Sequence, residues 1–159
     1  MTTVRVETLL PASPEAAFDL AADLEEHVRS AGTSGERIVA TTAAGRPIRL
    51  GDEVTFEARH LGLRWRLTSR ITAHDRPRCL VDETIRSPFR SFRHEHLFEP
   101  VPIESGEGTR MIDVLTFSAP LGALTEPILA RHLERFLRTR NAHLKKAAES
   151  TLSKSIPEP

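Results

Sequence analysis

The chain has 159 residues, 39% of them hydrophobic and 28% charged, and its 22 lysines and arginines equal its 22 aspartates and glutamates. That is the size and make-up of one globular domain able to bury a core. Neutral net charge leaves no global field to draw it to nucleic acid or to an anionic membrane.

A single cysteine, Cys79, excludes an internal disulfide, gives no metal spacing and reads as a small strand residue. Met1-Thr2-Thr3-Val4-Arg5 lacks the basic head and apolar run of a signal peptide. No apolar stretch is long enough to span a bilayer, so a cytoplasmic protein without integral membrane association is expected.

Val4, Val6 and Thr8 alternate with Arg5, Glu7 and Leu9, which predicts a first strand stopped by Pro11. Ser13-Pro14-Glu15 is a helix start, with a serine cap, proline in the first position and an acid at the positive end of the dipole. The helix spans 14–22 and puts Ala17, Phe18 and Ala21 on one face. Asp23 caps a second short helix over 24–29, ended by Gly32-Thr33-Ser34-Gly35. Residues 37–42 form a second strand, and a loop through Gly45, Pro47 and Gly51 follows.

From Glu53 the alternation is clear. Val54, Phe56, Ala58 and His60 share one face, and Leu63, Trp65, Leu67, Ser69 and Ile71 share one on the next strand. A two-residue turn at Leu61-Gly62 pairs His60 with Leu63 and Ala58 with Trp65, so that the apolar faces coincide. Asp75-Arg76-Pro77-Arg78 turns the chain into a fifth strand, 79–86. A turn centred on Pro88 sets Asp82 opposite His94 and Leu80 opposite His96; a slip of one residue turns Val81, Glu83 and Ile85 inward instead. Phe92, His94, His96 and Phe98 share a face of the sixth strand. The 100–108 loop leads to Met111, Asp113, Leu115 and Phe117 in the last, and symmetric closure pairs His96 with Asp113.

Residues 122–149 form one long helix with an apolar stripe of Leu124, Ile128, Leu129, Leu133, Phe136, Leu137 and Leu144. Pro127 belongs to its first turn or marks an early kink. Arg131, Arg135, Arg138, Arg140, Lys145 and Lys146 read as a solvated face. Residues 1–149 make a single domain, and 150–159 read as a disordered tail.

The order strand, two short helices, six strands, long helix is that of the helix-grip fold. The local wording resembles the START and polyketide-cyclase superfamily of SRPBCC proteins, in particular its small bacterial members. The carriers are residues 11–18 (Pro11-Ala12-Ser13-Pro14-Glu15-Ala16-Ala17-Phe18), Gly51-Asp52-Glu53-Val54 and Ile71-Thr72-Ala73-His74-Asp75-Arg76-Pro77, with residues 89–96 and Pro120-Leu121-Gly122. The resemblance implies an α+β architecture, a seven-stranded curved antiparallel sheet wrapped around the C-terminal helix. The superfamily includes lipid carriers, polyketide cyclases and hormone receptors, so fold limits function without fixing it.

Such a sheet and helix enclose a cavity. Its walls are expected from Phe56, Trp65, Leu67, Phe92, Phe98, Leu115 and Phe117, with Leu129, Leu133 and Phe136 from the helix. His60, Asp82, His94, His96 and Asp113 are the polar groups on this face. Three readings stand for them: a hydrogen-bonded structural network, orientation of a bound ligand, and acid/base or metal chemistry with His94, His96 and Asp113 as candidates. His94 and His96 lie two apart on a strand, a spacing that suits zinc if His60 or Asp113 completes it; no metal site is assigned. Binding of a hydrophobic or amphipathic small molecule, lipid-like or polyketide-like, is the leading expectation. A cyclase/dehydrase-like enzyme is second, and a partner-modulating module with a filled cavity is third. No cofactor is called for and no nucleic-acid partner is expected, because outward arginines interleave with Glu57, Glu95 and Glu99 without an aromatic platform. A monomer and a homodimer both stay open.

Overall fold

The computed structural model describes residues 1–31, 35–104 and 106–155, without the side chains of residues 152–155. The strands are β1 (Thr2–Leu10), β2 (Arg37–Thr41), β3 (Glu53–His60), β4 (Leu63–Asp75), β5 (Cys79–Arg86), β6 (Ser91–Ile103) and β7 (Gly106–Ser118). Helices α1 (Pro14–Ala22) and α2 (Leu24–Ser30) follow β1, and α3 (Glu126–Ser155) closes the chain.

The short helices start where the sequence chemistry puts them. Ser13 Oγ accepts the Ala16 N–H at 3.3 Å, and Asp23 Oδ1 accepts those of Glu25 and Glu26 at 2.8 and 3.1 Å. The residues expected to end α2, 32–34, lie outside the described ones. All seven strands join one antiparallel sheet in the order β1-β7-β6-β5-β4-β3-β2. The β3–β4 turn has positive φ at both Leu61 (52°) and Gly62 (76°), the twist that suits a two-residue hairpin. It sets His60 opposite Leu63 and Ala58 opposite Trp65, as the apolar faces require. At the other end of β3, Asp52 accepts two bonds from the Arg46 guanidinium and one from the Arg49 N–H, fixing the loop after β2.

Three boundaries differ from the sequence reading. The expected 100–108 loop is mostly ladder, with pairs running out to Ile103 and Gly106. The prolines allow this because β5 ends early: Phe98 N–H still reaches Arg78 O, whereas Pro100 and Pro102, of the same parity, face no further strand. Gly108 suits the tight join, since a Cβ there would meet Ile103 Cγ2 at 2.8 Å and Leu10 O at 3.0 Å.

The long helix starts at Glu126 rather than Gly122, after a single 3-10 turn over Gly122–Leu124. Glu126 holds this start in place: its carboxylate accepts the Ala119 N–H at 3.1 Å and the Thr2 hydroxyl at 2.6 Å. Leu124 and Ile128 therefore leave the expected apolar stripe and are 78% and 62% exposed. Pro127 sits in the first turn of α3. At the other end, α3 continues through Ser155, so the expected tail is helical that far, because no helix breaker precedes Pro157. No helix among the described residues is long and apolar enough to cross a membrane.

The interior has two apolar clusters. One gathers Leu10, Phe18, Leu80, Phe98, Met111 and Leu144 beside α1. The other gathers Val6, Leu115 and Phe117 against Leu129, Leu133 and Leu137 of α3. Leu144 ties the later half of α3 to the first cluster and is fully buried. Leu144→Ala should therefore lower the unfolding free energy by about 2–5 kcal/mol in urea denaturation. A loss below about 0.5 kcal/mol, the size of a surface substitution, would detach α3 from that core.

Candidate functional site

Between the two clusters runs a belt of polar side chains drawn from three elements. On β7, Asp113 lies between Met111 of one cluster and Leu115 of the other. On β6, His94 and His96 lie between Phe92 and Phe98. On α3, Arg140 and Asn141 lie between Leu137 and Leu144. Asp113 is 0% exposed. Its Oδ1 is 2.9 Å from His94 Nε2 and 2.8 Å from His96 Nδ1, and its Oδ2 accepts Asn141 Nδ2 at 2.6 Å. The His96 contact is short but out of line for a hydrogen bond.

Burial alone would raise the Asp113 carboxyl, but the donors from His94 and His96 outweigh it and hold it well below the ordinary carboxylate range. An ionised carboxylate only accepts, so His94 Nε2, which bonds it, carries a hydrogen. Burial, then the adjacent His94 ring, pushes His96 down to about 4 against the pull of Asp113. Asn141 Nδ2 also bonds Thr8 Oγ1 at 3.0 Å, so this one amide ties α3 to both β1 and β7.

Beside the belt, on the side of the second cluster, lies a cavity of about 110 Å³ between α3 and the sheet. Of the residues expected around it, Phe56, His60, Trp65, Leu67, Asp82, Phe92, His94, Leu115, Leu129, Leu133 and Phe136 line it. The other expected residues do not. Phe98 packs in the first cluster, Phe117 lies behind Phe89, and His96 and Asp113 stand in the belt behind His94. Strand parity told which face these side chains share, not how deep along it the free space lies.

The open register of β5 resolves with Asp82 opposite His94. Asp82 Oδ1 is 3.9 Å from His94 Nδ1, too far for a direct hydrogen bond. Ligand atoms of Asp82, His94 and His96 lie within 4.8 Å of one another. Of the two third ligands weighed from sequence, Asp113 lies against both histidines, whereas His60 pairs with His132 instead.

Several lining residues escaped the sequence reading. Phe89, in the turn before β6, joins Trp65, Phe92 and Phe117 in an aromatic wall with ring centroids 4.9–5.5 Å apart. His132 Nε2 sits 2.9 Å from His60 Nδ1. Burial, followed by the partner ring, holds His60 below its ordinary value, and burial followed by Arg135 does so for His132. Trp65 Nε1–H donates to His60 O at 2.9 Å, locking the hairpin end of the wall. His27 Nε2 lies 2.8 Å from Glu36 Oε1 and its ring stacks on Phe56 at 4.6 Å. Arg140, expected on the solvated helix face, is 2% exposed and lines the cavity. Its signal was legible: 129, 132, 133, 136, 137, 140 and 144 fall on one helical stripe.

The sequence matches the family described as polyketide cyclase / dehydrase and lipid transport over residues 1–149, and the chain belongs to that family. No curated protein matches it. Among solved structures, a Thermus thermophilus protein superposes with TM-score 0.75 at 20% identity, covering 98% of this chain and 100% of that one. The Zhui aromatase/cyclase from Streptomyces gives TM-score 0.72 at 14% identity, with 95% of each chain covered. A START superfamily protein from Mycobacterium smegmatis gives 0.66 at 15%, covering 94% of this chain and 98% of that one. At these identities the likeness is one of fold.

His60, His96 and His132 all resist protonation in the folded chain, which fixes a pH dependence. Their neutral forms are favoured, so stability is complete above the unfolded value of 6.5 and is lost as the pH falls through the His96 value of about 4. Urea denaturation should show a loss of about 1–3 kcal/mol between pH 7 and pH 4, and His96→Phe should flatten part of that slope. A stability unchanged over this range would contradict the burial of neutral imidazoles.

Proposed function

We propose that this member of the polyketide cyclase / dehydrase and lipid transport family binds a small hydrophobic or amphipathic molecule between α3 and the sheet. The observation that carries the reading is an aromatic and aliphatic surface facing free space between α3 and the sheet, with polar side chains such as His60, Asp82 and His94 set into it. Phe56, Trp65, Phe92, Leu115, Leu133 and Phe136 supply the apolar surface, and His60, Asp82 and His94 supply orientation. Size narrows the ligand. A cavity of about 110 Å³ is close to one that holds a benzene-sized body (~150 Å³) and well below a drug-sized pocket (about 300–1,000 Å³). A single ring or a short chain fits the site as it stands; a polycyclic or long-chain ligand requires α3 to move from the sheet.

A second reading rests on His94. Asp113 holds its Nε2–H, and its Nδ1 is left toward Asp82 at the cavity wall, the arrangement of an oriented acid/base group. In a cyclase-like reaction this nitrogen would take the proton from a carbon between two carbonyls, and His96 and Asp113 would act only by positioning it.

Trp65 is the only tryptophan and sits in the aromatic wall, so a single-ring apolar probe should shift or quench its emission saturably. Ala58→Phe, which grows a ring into the cavity from β3, should weaken that uptake by about tenfold or more, on the scale of one lost apolar contact set. Absence of saturable uptake would remove the binding reading and favour a module whose interior is filled. For the second reading, His94→Gln should lower turnover of a poly-β-keto thioester by about two to four orders of magnitude while probe binding survives. No turnover above buffer by the native chain would discard the enzyme.

A further inference from the structure

The cavity holds a cation without a hydrogen-bond or ion-pair partner among the described residues. Arg140 is 2% exposed, and its Nε is buried without any hydrogen bond. Its guanidinium forms no hydrogen bond and no ion pair within 4.0 Å among the described residues. Arginine cannot relieve this by releasing a proton, as a buried lysine or histidine does. A further orphaned polar atom, Ser69 Oγ, lines the same space.

Glu36 does not neutralise Arg140 directly. Burial opposes its ionisation, yet His27 first and Arg140 after it hold the carboxyl below its ordinary value, so Glu36 is an anion. Its Oε1 is occupied by His27 Nε2 at 2.8 Å. Glu36 thus lowers the potential around Arg140 from a distance while leaving the planar fork of N–H donors unfilled. The remaining wall is aromatic and aliphatic apart from Asp82 and the imidazoles of His27, His60, His94 and His132.

We infer that Arg140 is the anion anchor of the cavity and that its ligand is a small monocarboxylic acid, with the carboxylate on the guanidinium and the apolar body against the aromatic wall. This rests on the ligand-binding reading above and names the ligand class for it. A carboxylate matches the guanidinium fork with two parallel hydrogen bonds. Arg140 is a single positive charge with anionic Glu36 nearby, so a dianion is opposed more strongly than a monoanion, which disfavours phosphate monoesters. Ser69 Oγ is placed to bond a second polar atom of the ligand. Arg140 comes from α3 and the wall from the sheet, so the bound acid would bridge the two halves of the grip.

The test compares benzoate with benzamide, alike in shape and different in charge, by titration calorimetry on the native chain and on Arg140→Met. Native protein should bind benzoate at least about tenfold more tightly than benzamide, as a charge-assisted pair in a dry site does. Arg140→Met should abolish that preference and still bind benzamide. On the native chain alone, benzoate should move the Arg140 Nε–H resonance and benzamide should not, which keeps the question decidable if the variant does not fold. Equal affinities, or a preference that survives Arg140→Met, would overturn the anchor and leave the apolar binding reading standing. Binding of neither compound would overturn both. Phenyl phosphate binding more tightly than benzoate would also overturn the assignment.

Discussion

The interior is organised around one buried charge. Asp113 has no exposure to solvent, and such a carboxylate survives only when its oxygens are fully engaged. Here the donors come from β6 (His94, with the His96 ring in close contact) and α3 (Asn141), while Asp113 itself stands on β7. Satisfying them fixes the angle and the register of the helix across the sheet. A rotation of α3 that put Ala142 in place of Asn141 would leave the carboxylate short of a donor. Apolar contacts between leucines tolerate such a shift; this carboxylate does not.

From that constraint the site follows. The belt separates a fully packed cluster, centred on Phe18, Phe98 and Met111, from one that leaves space between Trp65, Phe92 and Leu133. His94 belongs to both worlds, bonded to Asp113 on one side and open to the cavity on the other. With Asn141 pinned to Asp113, the neighbouring residue Arg140 is carried to the cavity wall with no carboxylate in reach. The same geometry that stabilises the fold thereby leaves a buried cation at the cavity wall, the group on which the proposed acid would sit. Solved relatives share the fold at identities of 14–20%, so the backbone frame is general and the lining decides what enters.

Much of the frame was legible in the sequence because antiparallel hairpins obey a period of two. Matching apolar faces placed Ala58 beside Trp65, and His96 beside Asp113, before any coordinate was known. The helix was less legible. Its 3.6-residue stripe is broad, and charge alone assigned Arg140 to solvent although it falls between Phe136 and Leu144 on the buried face. Neutral neighbours of the stripe, His132 and Asn141, were overlooked for the same reason. Phe89 lies in a turn, where parity gives no direction. Pro100 and Pro102 signalled a loop because proline breaks a ladder, and only the early end of β5 shows why it does not do so here. Depth was the other missing quantity: Phe98 and Phe117 face inward as expected and fill core, not cavity.

The central claim is that α3 and the sheet enclose a ligand site on one side of the Asp113 belt and solid core on the other. Methyl-resolved nuclear magnetic resonance tests it directly, with leucine probes on both sides. Titration with a ring-sized apolar acid should move the methyl signals of Leu67, Leu115, Leu129 and Leu133 and leave those of Leu10, Leu80 and Leu144 in place. Shifts spread evenly across both groups, or confined to the exposed Leu61, Leu63 and Leu124, would contradict the account.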